Sequence, residues 1–287
     1  MDKDAIERVQ SLVLAAFQKD LNTHTPVIIV PQPNGAAGVL SLEQYMEGRS
    51  RFRGCMRTSL LSDFAGYINE RAKVYEGGAK FSAFIDADDF SKMSCKAFFN
   101  MGTEESPGHC DDTSVLGLKF TATYAALDML TKQHGMSQRA LIDYIEDWNT
   151  VLYAEDDNGE RMTAAQAIAG IRNMKIAMNG ENTSTVGDTS LKRTAMEMVE
   201  VKAVDRLPVR LYVKTEPFAG FTARDIGMRI AFHTSSKDPT FTLRIIGFEK
   251  MAEEVAQEFK SKVDRLVGVD MKMVVVGTFN AGGGRNE

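Results

Sequence analysis

Pro107, Gly108, His109, Cys110, Asp111 and Asp112 set a turn-forming pair beside an imidazole, a thiol and two carboxylates. These side chains ligate metals and move protons. Adjacent residues of an extended chain point in different directions, so at most two of His109, Cys110, Asp111 and Asp112 can share a ligand. A zinc or iron site therefore needs further His, Cys or carboxylate ligands from elsewhere. The other histidines, His24, His134 and His233, stand in no HxH, HxxxH or HExxH context. A tight turn fits better, with Pro107-Gly108 setting the bend and Asp111 or Asp112 capping the backbone. A second acidic group, Asp86, Asp88 and Asp89 in IDADDF, lacks the later glycine and glutamate of an EF-hand and reads as a helix cap after a strand. A metal-assisted hydrolase using His109 and Asp111, with Asp86 or Asp89, is the alternative.

Two cationic arrays compete with that turn. In GRSRFRGCMRT, a strand would carry Arg49, Arg51, Arg53 and Arg57 on one face. Like charges at this spacing repel, so an acidic side chain, a neighbouring subunit or a phosphate must compensate them. The second array is Arg206, Arg210 and Lys214 on one strand pattern, with Arg229 and Arg244 on the equivalent face of the next two and Tyr212 beside Arg210. A basic sheet face with an aromatic is what single-strand nucleic-acid binders use, and a solvated or subunit-docking sheet carries the same pattern. Arginine's planar fork suits phosphate and carboxylate.

The elements that must position these residues are legible by period. Ile6, Val9, Leu12, Val13 and Phe17 predict a helix over 3–21. PVIIVP predicts a strand at 26–31 and PQPNGAAG a loop. Ser41 with Glu43 and Gln44 starts a short helix, 50–58 alternates as a strand, and Ser62 or Asp63 caps a helix to about Arg71. AKFSAFID and MSCKAFFNM read as two strands. Helices follow over 121–133 and 137–148, separated by His134-Gly135. EDDNGE (155–160) is a polar break, 161–178 a connecting helix, and 179–190 a loop. Leu207 to Val213, Ile226 to Phe232 and Phe241 to Ile245 alternate as an antiparallel meander with one buried face. Met251, Val255, Phe259 and Val263 form a helix stripe that covers it. MKMVVVGTF predicts a strand buried on both faces, and AGGGRNE a disordered tail. The fold class is α+β. A mixed N-terminal part with several helices (1–154) precedes a C-terminal antiparallel sheet covered by a helix (191–280), with 281–287 as tail; the whole also fits one compact domain.

Composition closes off other classes. The chain has 287 residues, a formal net charge of −5, three cysteines and sixteen methionines. That length buries a sizeable core. The net charge argues against a surface that clings everywhere to nucleic acid, though a local basic patch remains compatible. The cysteines fit neither a disulfide framework nor a zinc knuckle, and MDKDAIERVQ is no signal peptide, so the expected compartment is the reducing cytoplasm, with no membrane partner. There is no P-loop, no GxGxxG after a strand, no GxSxG elbow and no kinase set, and no cofactor is implied.

With these segments in hand, the chain resembles the YfdQ-like proteins of prophages and tailed phages, a family of unknown function. The resemblance rests on THTP (23–26), GRSRFRG (48–54) followed by SDFAGYI (62–68), FFN…PGH.D (98–111) leading to LKFTATYAAL (118–127), and LIDYIEDW (141–148). It covers most of the chain in order. It implies a phage accessory context in the host cytoplasm and no reaction. The expectation is a non-enzymatic homo-oligomer that binds an anionic partner: single-stranded nucleic acid, a nucleotide signal or a host protein. A purely structural assembly protein is the third reading.

Overall fold

The computed structural model describes residues 7–8, 26–31, 37–74, 81–173, 206–233, 240–266 and 271–280. The helix expected over 3–21, the loop at 179–190 and the tail at 281–287 lie outside or almost wholly outside the described residues. The chain divides into two compact units, a smaller one of 1–55 with 111–113 and a larger one of 56–110 with 114–287.

In the smaller unit, β1 (Val27–Pro31) and β2 (Ala37–Ser41) form an antiparallel hairpin, Ile29 facing Val39. A 3-10 turn at Glu43–Tyr45 follows. The strand expected over 50–58 begins only at Gly54, as β3 (Gly54–Thr58). Residues 51–53 ahead of it are irregular, and there Arg51 reaches Asp111 and Arg53 reaches Glu43.

The larger unit builds its core from two sheets. One has the order β13-β4-β5-β6-β3, with β4 (Phe81–Asp86), β5 (Ser94–Phe98), β6 (Asp112–Gly117) and β13 (Met271–Val276). The two strands expected from AKFSAFID and MSCKAFFNM are β4 and β5, and they pair antiparallel, Ser82 facing Phe98 and Ile85 facing Cys95. Burial pushes the Cys95 thiol up to about 12. β13 corrects an expectation. It runs parallel to β4 at the sheet's edge, and Met273 and Val276 are 41% and 46% exposed rather than buried on both faces.

The second sheet has the order β7-β12-β11-β10-β8-β9. Its centre is the expected meander: β10 (Arg210–Thr215), β11 (Arg224–His233) and β12 (Thr240–Ile245). Three short strands from earlier in the chain widen it: β7 (Met136–Ser137), β8 (Leu152–Glu155) and β9 (Arg161–Met162). The polar break at 155–160 is thus the β8–β9 hairpin turn. There the Asp156 carboxylate accepts the amide hydrogens of Asn158 (3.1 Å) and Glu160 (2.8 Å) and pairs with Arg206. Burial works to raise the pKa of Asp156, and these donors hold it below the usual carboxylate range.

Helices α1 (Leu61–Val74), α2 (Ala122–Lys132), α3 (Gln138–Asp147), α4 (Ala164–Asn173) and α5 (Phe248–Leu266) complete the α+β fold. Thr121 Oγ1 accepts from the Tyr124 amide and Ser137 Oγ from the Ala140 amide, so α2 and α3 start where side-chain oxygens satisfy orphan donors. Gly135, at φ +74°, makes the turn between them. α2 and α3 pack on β12, α4 on β8 and α5 on β13. The inward residues Leu211, Val213, Met228, Ile230, Phe241 and Leu243 join Val255, Phe259 and Val263 of α5 in one core.

A polar clamp seats α5. Glu258 accepts from the Thr222 amide (2.7 Å), the Thr222 hydroxyl (2.9 Å) and Arg224 (2.7 Å). Burial works to raise its pKa, but the Arg224 and Thr222 donors win and hold it below the ordinary glutamate value of 4.5. A depressed folded-state pKa gives stability that is present above the unfolded value and is lost as pH falls through the folded one. Wild-type urea midpoints are therefore expected to fall as pH drops below about 4.5. In Glu258→Gln, about 1–2 kcal/mol less stable at neutral pH, that fall flattens. Parallel pH profiles for the two proteins would refute the clamp.

Candidate anion-binding face

The two cationic arrays meet different fates. In the smaller unit, Arg51 ion-pairs with Asp111 at 2.5 Å. Arg53 pairs with Glu43, whose side chain is 6% exposed and also accepts from the Ser50 amide (3.1 Å) and hydroxyl (3.2 Å). Arg49 donates to the Arg53 carbonyl at 3.1 Å. Arg57 is exposed on β3. For Arg51 and Arg53 the anionic compensation comes from the chain itself, so these two arginines knit together the segment from the 3-10 turn to β3. Glu43 was the partner missed in the sequence; a carboxylate eight to ten residues before the arginines carries no periodic signal.

The residues of the opening motif are likewise dispersed. Asp111 faces Arg51. Asp112 is fully buried at the start of β6, while His109 is exposed. Gly102 and Pro107 form a β-bridge, and Gly108 donates its amide to the Met101 carbonyl at 3.0 Å. Cys110 takes a left-handed φ of +54° to leave this turn. Asp89 caps the 3-10 turn Phe90–Lys92, accepting from the Ser91 hydroxyl (2.7 Å) and amide (2.8 Å), and these bonds, then Lys92, lower its pKa. Asp86 accepts from the Asp88 amide at 3.2 Å. Among the described residues no group of three His, Cys, Asp or Glu side chains is placed to hold a metal ion.

The second array is gathered. Cross-strand register puts Arg210 opposite Arg229 and Arg229 opposite Arg244, three guanidinium groups in one row over β10, β11 and β12. Facing Cα atoms in such a ladder are about 4.5–5.5 Å apart, and like charges directly opposite destabilise the sheet. Arg210 has Glu155 at 3.6 Å on its other side. Among the described residues, Arg229 and Arg244 have no carboxylate within 4 Å, and both are exposed. Lys214 and Arg161 lie on the same face. The carboxylates there are Glu155 and Asp225, so five cations face two anions.

The aromatic next to the row is not alone. Tyr212 stacks on Tyr153 of β8, centroids 4.9 Å apart and planes within 7°. The Arg161 guanidinium lies 3.9 Å above the Tyr153 centroid. On the other side Tyr212 leans over Gly227, where an added Cβ would come within 2.9 Å of its ring. Both faces of the tyrosine pair are thus used within the chain. Burial, then nearby carboxylates, push both phenols up, so they stay neutral at physiological pH. The base-stacking surface expected from Tyr212 is occupied, and the open chemistry of this face is charge.

Fold and face together define an α+β protein with a cationic open sheet. None of its described helices is long and apolar enough to cross a membrane. A family model described as Uncharacterized conserved protein (DUF2303) matches residues 2–279, and the chain belongs to that family. No curated protein and no solved structure matches it.

Proposed function

We propose that this is a non-enzymatic, self-assembling accessory protein whose open six-stranded face holds an anionic partner. The observation behind this reading is the Arg210–Arg229–Arg244 row, in which Arg229 and Arg244 lack a carboxylate among the described residues. A sheet that tolerates such repulsion gains stability when phosphates or carboxylates lie across it. Phosphate-rich polyanions fit best, since cations spaced along a ladder match closely spaced negative charges. The phage setting rests on the YfdQ-like sequence resemblance, and self-assembly on the exposed apolar edge at Met273 and Val276. The metal-assisted hydrolase reading has no comparable observation behind it.

Anisotropy titration of a labelled oligonucleotide tests this. Binding is expected at low salt, with log K falling as log salt rises. Arg229→Ala and Arg244→Ala are each expected to reduce that slope by about 0.7–0.9. Absence of binding to oligonucleotides and nucleotides at low salt refutes the anionic partner. Light scattering that reports a monomer at all concentrations refutes self-assembly.

A further inference from the structure

One part of this face is a cavity rather than a row. It has a volume of about 300 Å³ and is lined by Thr150, Val151, Tyr153, Arg161, Lys214 and Asp225. That volume is at the bottom of the range for small-molecule sites, room for one mononucleotide and no more. Lys214 and Asp225 face each other in register, yet no ion pair closes between them, and among the described residues neither Lys214 nor Arg161 has a carboxylate within 4 Å. Glu155, the register partner of Arg161, is turned to Arg210.

We infer that this cavity binds a nucleoside monophosphate, an inference that rests on the anionic-partner reading of the same face. The Tyr212–Tyr153 stack continues into Arg161 of β9, the edge strand of the sheet, and this exposed guanidinium lines the cavity. A planar heteroaromatic base continues that stack on arginine, a surface that guanidinium offers and ammonium does not. Lys214 supplies the point charge for the phosphate. Asp225 would repel a bare phosphate placed beside it, but it accepts hydrogen bonds from sugar hydroxyls. The combination selects a nucleotide over inorganic phosphate. The arginine row lies further along the strands and takes no part in the pocket. The monophosphate is either a free nucleotide or the phosphorylated end of a strand lying on the row.

Calorimetric titration of the full chain with adenosine 5′-monophosphate, adenosine and inorganic phosphate tests the site. The nucleotide is expected to bind best of the three. Lys214→Gln should weaken it about tenfold, the value of one charge-assisted hydrogen bond. Arg161→Lys, which keeps the charge and loses the plane, should weaken it several-fold, while Arg229→Ala and Arg244→Ala leave it within about twofold. All four side chains are exposed, so these variants fold. If Lys214→Gln also weakens a 5′-phosphorylated oligonucleotide more than its unphosphorylated twin, the ligand is a strand end; if it weakens the free nucleotide alone, the ligand is free. No heat with millimolar nucleotide, equal binding of inorganic phosphate, or indifference to both Lys214→Gln and Arg161→Lys overturns the inference. The reduced salt slope of oligonucleotide binding in Arg229→Ala would still stand in that case, so the two readings fail separately.

Discussion

Phe90→Ala is expected to cost about 3–5 kcal/mol, the range for deleting a buried phenylalanine, and to lower the melting temperature by about 10 °C. Phe90 is a hub of rings. Phe218 and Phe248 lie 5.4 Å away, Tyr124 5.7 Å and Phe120 5.8 Å, centroid to centroid. Tyr124 and Phe218 are themselves almost fully buried, so the cavity left by alanine has little freedom to collapse. The residue is held there by local chemistry. Asp89 caps the 3-10 turn that follows β4, and Phe90 is the turn's first residue. The acidic motif that first suggested a metal loop therefore serves to aim an aromatic into the core. Phe90→Leu keeps much of the volume and should cost less than half as much. Chemical unfolding of the two variants measures both. A loss below about 1 kcal/mol in the alanine variant would mean that these rings do not share a packed core.

Gly108→Ala is the second large effect, at about 3 kcal/mol. Its φ is not in the left-handed region, so backbone preference does not object to alanine. Space does. A Cβ there would come within 1.9 Å of the Asn100 carbonyl oxygen and 2.9 Å of the Met101 carbonyl carbon, both backbone atoms. Backbone cannot swing aside as a side chain can, so the two strands of the turn must part. His109→Ala, one residue on and exposed, is expected to change stability by less than about 0.5 kcal/mol. The pair of measurements separates the two readings of the motif. A tolerated Gly108→Ala with a damaging His109→Ala would return the imidazole to the centre of interest.

Long alternating segments were legible in the sequence and short ones were not. The meander strands announce themselves because buried Leu211, Met228 and Phe241 alternate with outward Arg210, Arg229 and Thr242 over six or more residues. β8 and β9, of four and two residues, carry too few alternations to be told from a polar loop. β13 misled for a different reason. MKMVVV has the apolar run of a fully buried parallel strand, and nothing in its own residues reveals that the sheet stops there. The candidate site divides similarly. That Arg210, Arg229 and Arg244 share a face follows from parity alone. That they stand opposite one another depends on register, which is fixed by the connections between the strands. The Arg161–Tyr153 stack lay beyond reach because β9 itself did.

The place of β13 also governs how the molecule can be made. Met271 pairs with Phe81 across about 190 intervening residues. Loop closure over such a separation is slow and cannot begin until the second strand has been synthesised. Until then β4, buried at nearly every position in the finished sheet, has β5 on one side and nothing on the other. A nascent chain therefore carries an open hydrophobic strand through most of its translation, the window in which chaperones or premature self-association act on it.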